Sequence, residues 1–446
     1  MPDSLPTLSG LPLVGCLPEL RRDRLGFLLR AWHEGGGFTR APAVRGRFLY
    51  VVTDPEVARD VLVRQARRFK KFAALSTYSR PILGEGLITS EGEVHRAQRR
   101  LIAPKFGRRD LGTYAATMAR HTAALVEGWV PGRGVDIHAE MTRLTLAIAT
   151  ETMFGAASGS YSRAASAAVH AATDYIAGEV GRLLHLPVSW PLPRNRRMQR
   201  AVRALDEIVF EIIRQRRADP GDQDDILQRL LDARDEDDGR GMDDQQVRDE
   251  VMTLFVAGHE TTANALTWSL DLLARNPEVQ RALSEEVRSV VGDGLPGLEH
   301  LPRLGLARRV FEESMRLYPP AYMVGRESLE PVEVGGHSLP AGVTVLVSIY
   351  GLHRRPDLWP DPERFDPGRF SEEAIDARPR GCYLPFGDGP RVCIGNHFAM
   401  MEAQLVLAGV AQRWRLVALP GPAVAPMPRV TLRPGGPVRL QVEAAG

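Results

Sequence analysis

Cysteine is scarce in this chain. Only Cys16, Cys382 and Cys393 occur among 446 residues, an odd number with no C-x-x-C pair; that excludes a disulfide framework and a cysteine-rich zinc site, and fits a reducing compartment. An excess of one charge is also missing: 57 basic and 55 acidic residues leave a formal net charge of +2, too little to make nucleic acid the expected partner. No apolar run is long enough to span a bilayer. The stretch MPDSLPTLSGLPLVGCLPELRRD is broken by Pro2, Pro6, Pro12 and Pro18, and it lacks the basic start and apolar core of a secretion signal. A cytoplasmic protein is expected, with no nucleic-acid partner and no membrane anchor. Internal repeats and long linkers are absent as well, so a single domain over residues 1–446 is expected, and 44% hydrophobic residues suffice for a large core.

What is present is mostly helical. RFLYVVTDPEVARDVLV passes from a β-rich run to a helix, with Thr53 as the expected cap, Pro55 in the first turn and Glu56 completing a capping box. From Tyr114 to about Val291 helical periodicity prevails, and RADPGDQDD and DARDEDDGRGMDD mark exposed connections. After Leu329, short strands are expected around Gly335-Gly336, and again in RVTLRPGGPVRLQVE. The fold class is therefore mainly α with small β-sheets.

One helix stands out. In DDQQVRDEVMTLFVAGHETTANALTWSLDLLARNP, Asp243 and Gln246 give a start signal and Asn276-Pro277 a stop, which predicts about 50 Å of helix. Gly258, Glu260, Thr261 and Thr262 interrupt its apolar faces, where burial would be costly. The Thr261 hydroxyl is expected to reach the carbonyl of Ala257 and open a groove beside Gly258 for a diatomic ligand or water. The competing reading is a close helix contact at Gly258 with Glu260 hydrogen-bonded.

FGDGPRVCIG, residues 386–395, poses the sharper question of whether Cys393 is a buried hydrophobe, a nucleophile or a metal ligand. Gly387 and Gly389 allow a sharp loop and Pro390 stiffens it, a setting that suits a thiolate ligand tuned by nearby amides. Gly395 lets the next helix approach a flat, bulky group. Arg391 is placed to reach an anionic part of that group.

This segment resembles the cysteine-ligand signature of the cytochrome P450 family, matched at Phe386, Gly387, Gly389, Arg391, Cys393 and Gly395. Three further segments follow the family's order. AGHETT, residues 257–262, resembles the oxygen-activating part of the long helix; EESMRLYPP carries Glu313 and Arg316 as Glu-x-x-Arg; PERFDPGRF resembles the meander, with Arg364 as its structural arginine. The resemblance covers nearly the whole chain. It implies the cytochrome P450 fold, with a long central helix over a haem and the cysteine-ligand loop.

Carried onto this sequence, the resemblance implies haem b with Cys393 as its iron ligand, and His95, Arg99, Arg326 and Arg391 as partners of its propionates. Glu313, Arg316 and Arg364 are expected to form a buried structural triad. Glu260 and Thr261 are the expected catalytic pair, a carboxylate and a hydroxyl placed to relay protons. The substrate pocket is expected to draw on Phe72, Leu75 and Tyr78, on Val256 and Ala257, on Ala321, Tyr322, Met323 and Val324, and on Val430. Mostly apolar, it favours a hydrophobic small molecule such as a terpenoid or fatty acyl compound, with a macrolide or steroid as the alternatives; the high Arg, Ala and Gly content suits bacterial secondary metabolism.

The expected reaction is monooxygenation, by hydroxylation or epoxidation, with O2 as co-substrate. The 53 residues after Cys393 hold no cysteine and no flavin-binding segment, so electrons are expected from another protein; the resemblance implies NAD(P)H as their source and a ferredoxin and ferredoxin reductase as carriers, with the chain itself expected to be a monomer. Arg96, Arg100, Lys105, Arg108 and Arg109 are candidates for a basic docking face. A peroxide-driven peroxygenase and a non-enzymatic haem-thiolate gas sensor are the alternatives. Retention of the acid–alcohol pair weighs against the first, and the lack of a transmitter segment against the second.

Overall fold

The computed structural model describes residues 5–155, 171, 175–176, 178, 188–219, 225–235 and 239–445. In chain order the longer helices are α1 (Arg24–Gly35), α2 (Ala73–Leu83), α3 (Gly92–Ile102), α4 (Arg108–Glu127), α5 (Ile137–Phe154), α6 (Pro193–Ala218), α7 (Asp244–Arg275), α8 (Pro277–Val291), α9 (Gly305–Leu317) and α10 (Asn396–Arg413). The strands are β1 (Phe38–Pro42), β2 (Phe48–Val52), β3 (Phe69–Lys71), β4 (Gly134–Asp136), β5 (Val324–Ser328), β6 (Val332–Val334), β7 (His337–Leu339), β8 (Thr344–Val347), β9 (Trp414–Ala418), β10 (Pro426–Pro428), β11 (Leu432–Pro434) and β12 (Arg439–Ala444). By their contacts the residues form two compact units. One comprises Met1–Ala74, Glu312–Cys393 and Pro426–Arg433; the other comprises Leu75–Phe311, Ile394–Ala425 and Pro434–Gly446.

The first unit is built on a five-stranded sheet ordered β1-β2-β8-β5-β3. The β1–β2 hairpin is antiparallel and β2 runs parallel to β8, with Leu49 opposite Thr344 and Val52 opposite Val347. Successive side chains of a strand face opposite ways, so β2 serves two cores. Val52 packs with Val61, Leu62, Phe69 and Val345, while Val51 packs with Phe27, Leu28, Ala31 and Tyr322. The helix after β2 begins at Pro55, as its sequence predicts, but the cap is Asp54 rather than Thr53. The Asp54 carboxylate accepts the N–H groups of Glu56 and Val57 at 2.9 and 3.1 Å, whereas the Thr53 hydroxyl donates to the carbonyl of Gly36. A shorter carboxylate reach to N2 and N3 from one residue later wins the position. The β6–β7 hairpin turns at Gly335 and Gly336, both at positive φ.

Helices make up most of the second unit. The side chain of Asp243 caps α7 by accepting the N–H of Gln246 at 2.7 Å, and α7 packs along α5 while α10 packs along α4. Every residue from Thr262 to Leu273 is buried, the signature of a helix enclosed on all sides. β4, β12 and β9 form a three-stranded sheet, tied to α4 by the Trp414 indole N–H on the carbonyl of Val126 at 2.9 Å. The two polar connections named from sequence extend over residues 220–224 and 236–238, outside the described residues. Among the described residues, no helix is long and apolar enough to cross a membrane.

Candidate functional site

The Cys393 loop is closed from within. The Cys393 N–H donates to the carbonyl of Phe386 at 2.9 Å, the Gly387 N–H to that of Leu384 at 3.0 Å, and the Val392 N–H to that of Gly389 at 3.0 Å. Gly387 and Gly389 have φ of 72° and 71°. A Cβ at Gly389 would lie 2.1 Å from the carbonyl oxygen of Leu62, so that position requires glycine. Cys393 is exposed where Cys16 and Cys382 are each 2% exposed. Burial pushes the Cys16 thiol up, and pushes that of Cys382 to about 11. Those two behave as small buried hydrophobes; Cys393 does not. Beside Gly387, and beside Gly395 at the start of α10, a Cβ would meet nothing within 4 Å. An exposed sulfur on a rigid loop, with open space at the flanking glycines, fits a bulky planar group carrying a metal.

The corner behind this loop is saturated with hydrogen bonds. Arg316 and Glu313 are fully buried on α9 and pair in a bidentate fork, Nε to Oε2 at 2.7 Å and Nη2 to Oε1 at 2.8 Å. The remaining Arg316 donors go to the carbonyls of His353, Pro362 and Arg364 at 2.9, 2.6 and 3.2 Å. Glu313 also accepts the Asp366 N–H at 2.9 Å. Burial pushes its carboxyl upward, opposed by Arg316, that N–H and Arg369.

The third member of this triad differs from the sequence expectation. The Arg364 side chain is 68% exposed and faces Asp366; Arg364 contributes only its carbonyl. Arg369, 12% exposed, brings its guanidinium to 3.4 Å from Glu313 and donates to the carbonyl of Asp361 at 3.0 Å. The turn at Pro367–Phe370, capped by the Asp366 carboxylate on the Gly368 N–H, points Arg369 inward.

His353 was not singled out from sequence. It is fully buried, accepts the Leu384 N–H on Nε2 at 2.9 Å and donates from Nδ1 to the carbonyl of Arg316 at 3.3 Å. Burial, then the positive charges of Arg316 and Arg354, hold it far below its ordinary pKa, so it is neutral. It stacks on Tyr383, 5.2 Å between ring centres. The histidine thus links the end of α9 to the start of the cysteine loop. Its partners lie 31 and 37 residues away, a separation that leaves no local motif to read.

In the other unit, α7 stays helical through its polar middle. The Thr261 hydroxyl donates to the carbonyl of Ala257 at 2.7 Å, as expected, and that of Thr262 to Gly258 at 2.9 Å. Between the buried runs Val251–Thr253 and Thr262–Leu273, Gly258 is exposed, while Val256, Ala257, Glu260 and Thr261 are partly so. A Cβ at Gly258 would meet nothing within 4 Å. Among the described residues no close helix contact, the competing reading, is made at Gly258.

The expected propionate partners are distributed over both units. His95 is 6% exposed and Arg99 half-buried, one turn apart on α3. Arg326 is 8% exposed on β5, with one guanidinium N–H on the carbonyl of Gly325 at 3.0 Å, and Arg391 is half-buried in the turn Gly389–Arg391.

Of the expected pocket residues, Phe72, Tyr78, Met323 and Val324 are half-buried, while Ala321 and Val430 are exposed; the side chain of Leu75 lies outside what is described. Tyr322 is corrected to a core residue. It is 1% exposed among Leu25, Phe27 and Leu28, and its hydroxyl accepts from Arg24 at 2.7 Å and donates to the carbonyl of Arg429 at 2.8 Å. A long phenol that finds two polar partners at the core edge is more stable there than facing an apolar space. Among the basic residues named for docking, Arg96 pairs with Glu93 and Arg100 with Asp235, and the side chains of Arg108 and Arg109 are outside the description.

Comparison with known proteins agrees with this arrangement. The cytochrome P450 family profile matches residues 5–441. The chain is 39% identical over 435 residues to cyclooctatin synthase of Streptomyces melanosporofaciens, covering 97% of this chain and 94% of that protein. It is 34% identical to pentalenene oxygenase of Streptomyces avermitilis, covering 89% and 88%. The crystal structure of the cytochrome P450DA haem domain superposes with a TM-score of 0.88 at 28% identity, over 99% of this chain and 98% of that one. A cysteine loop of this geometry, a Glu-x-x-Arg corner and a matching profile over almost every residue place the chain in the cytochrome P450 family of haem-dependent monooxygenases.

Proposed function

We propose that this monooxygenase transfers one oxygen atom from O2 to a cyclic terpenoid, using haem b ligated by Cys393 and electrons from NAD(P)H delivered by a ferredoxin and its reductase in the cytoplasm. Both compact units together form one haem domain in this reading. The observation that carries it is the Cys393 loop: the exposed thiol of three, on a backbone closed by its own hydrogen bonds, with open space at Gly387 and Gly395. The apolar character of Val256, Ala257, Met323 and Val324 suits either hydrophobic class, and the relatives named for cyclooctatin and for pentalenene favour the terpenoid over the fatty acyl alternative.

Haem held by the Cys393 thiolate would supply the oxygen-activating centre. The chain's own residues set the conditions. The short loop fixes the Cys393 sulfur, and His353 and Arg316 hold the backbone behind it. Arg99, Arg326 and Arg391 supply positive charge, and His95 a ring nitrogen, for two propionates. On α7, the Thr261 hydroxyl spends its proton on the carbonyl of Ala257 and so presents lone pairs as an acceptor, orienting a water or other donor. Glu260, half-buried one residue earlier, is the carboxylate that resupplies protons from solvent. Val256 and Ala257 keep the neighbouring surface apolar, which limits water at the reacting position.

The test is Cys393→Ser. The red-shifted carbon monoxide band of the reduced protein should vanish while the fold, followed by circular dichroism, persists; survival of that band would remove Cys393 as ligand. Titrating the wild type with pentalenene and with fatty acids, and reading the haem spin-state shift, then separates the two substrate classes.

A further inference from the structure

Three consecutive charged residues on α7 lie buried well away from the acid–alcohol pair: Arg248, Asp249 and Glu250, at 4, 5 and 0% exposure. The two carboxylates, Asp249 and Glu250, have partners in the loop Gly84–Leu87, which follows α2, and Arg248 braces Asp249. The Glu85 N–H donates to Asp249 Oδ2 at 2.7 Å, and the Leu87 N–H to Glu250 Oε2 at 3.0 Å. Alternate amides of the loop therefore engage successive carboxylates of the helix. The residue before each of these donors is a glycine for a steric reason. A Cβ at Gly84, where φ is 59°, would lie 2.1 Å from the Asp249 carboxyl carbon, and one at Gly86 would lie 2.2 Å from the Thr253 hydroxyl. The loop backbone rests directly on α7.

The opposite side is held as well. Gln98 of α3 donates to the carbonyl of Glu85 at 2.5 Å, and the Thr89 hydroxyl donates to that of Gly84 at 2.6 Å. Asp249 is itself fixed by Gln245 at 2.9 Å and by Arg248 at 3.0 Å, and Arg248 reaches Asp206 of α6 at 2.7 Å. One buried network thus joins α3, α6 and α7 to the downstream end of α2. Buried charges that saturate backbone donors fix geometry more than they add stability.

We propose that Arg248, Asp249 and Glu250 are positioning residues for substrate selection, clasping the loop Gly84–Leu87 so that α2 and its Tyr78 are held at one distance from α7. This rests on the reading that α2 borders the substrate. Asp249→Ala removes the acceptor for the Glu85 amide and one of the two carboxylate partners of Arg248; Asp249→Asn keeps the acceptor. Hydrogen exchange of the peptide spanning residues 82–90 should quicken by about tenfold in Asp249→Ala and be largely restored in Asp249→Asn. Haem content and the carbon monoxide band should match wild type.

Imidazole and 4-phenylimidazole serve as a small and a bulky probe of the space beside the haem. The ratio of their dissociation constants should change by about fivefold in Asp249→Ala and by less in Asp249→Asn. Gly84→Ala, which drives a Cβ into the clasp, should reproduce both effects and carries the test if Asp249→Ala yields no haem-loaded protein. Unchanged exchange at residues 82–90 would overturn the clasp, and raised exchange with an unchanged probe ratio would overturn its part in selection. Tyr78→Ala separates the two layers: if it leaves the probe ratio at the wild-type value, the placement of α2 beside the substrate is what fails.

Discussion

Two regions of this molecule use similar side chains to opposite ends. At the Glu313–Arg316 corner, an acid and a base are wholly buried, and each guanidinium donor and carboxylate oxygen meets a partner within 3.2 Å. In the middle of α7, Glu260 and Thr261 are half-buried, and the hydroxyl of Thr261 is committed only as a donor, to one carbonyl. The corner has no hydrogen-bonding capacity left to offer a substrate. The helix has kept some. Saturation marks polar groups that hold a fold, and residual capacity beside open space marks polar groups available for chemistry.

The comparison breaks first at the corner. Arg316→Ala strands the Glu313 carboxylate in the interior, at a cost of about 3–5 kcal/mol, and should abolish accumulation of folded, haem-loaded protein in expression and haem assays. Normal yield would mean that the corner is not a structural keystone. The same region contains a finer contrast. Arg369→Ala removes a nearly buried cation 3.4 Å from Glu313 and should lower stability to urea by about 1–3 kcal/mol, whereas Arg364→Ala, at a 68% exposed side chain, should stay within about 0.5 kcal/mol. Equal effects would put Arg364 back into the triad.

That contrast shows how far the sequence could be read. PERFDPGRF contains P-x-R-F twice, five residues apart, and nothing local ranks Arg364 against Arg369; only the turn capped by Asp366 does. Features whose determinants are local were legible: the cysteine loop, the capped ends of α7, the Gly335-Gly336 hairpin and the Thr261–Ala257 hydrogen bond. Features joined by distant chain were not. His353 reaches Leu384 and Arg316, and Asp249 reaches Glu85 across 164 residues. Tyr322 looked like a pocket residue from its neighbours, yet its hydroxyl is claimed by Arg24, 298 positions away.

Glu402 sharpens the comparison by being buried without saturation. It is 2% exposed on α10, its Oε1 meets no partner, and burial alone pushes its carboxyl up to about 8. The folded protein therefore keeps a proton there that the unfolded chain releases above about pH 4.5, so this residue lowers stability as pH rises from there to about 8. Between pH 6 and 8 the loss is about 2–3 kcal/mol. Glu402→Gln should flatten that part of the stability–pH curve relative to wild type, read from urea midpoints at several pH values. His353 acts with the opposite sign. Held neutral when folded and protonated when unfolded below about pH 6.5, it lowers stability as pH falls below that value toward its depressed folded pKa. A wild-type curve that stays flat from pH 6 to 8 while Glu402→Gln matches it would mean that Glu402 has a partner and belongs with the saturated corner.

The smallest effect on the fold is expected at Thr261, the residue proposed to guide protons. Thr261→Ala removes one hydroxyl whose hydrogen bond returns to its own helix four residues back. Alanine is the better helix former, and a threonine bonded to the i−4 carbonyl contributes little to helix stability, so urea stability should change by less than about 0.5 kcal/mol. Haem content and the carbon monoxide band should also be unchanged. In the proposed function, what the substitution removes is an acceptor that orients a proton donor beside Gly258. Without it protons arrive out of place, and reducing equivalents drawn from the nicotinamide should emerge as hydrogen peroxide rather than product. Supplied peroxide should then recover part of the lost product, because it bypasses the electron and proton delivery that the hydroxyl organises. The measurement follows product, peroxide and nicotinamide together in a reconstituted system with saturating substrate. Glu260→Gln should instead slow all three in proportion, since it weakens proton supply without misplacing the donor. If Thr261→Ala gives wild-type product per nicotinamide, the hydroxyl does no more than satisfy the Ala257 carbonyl, and α7 would be as closed to chemistry as the Glu313–Arg316 corner.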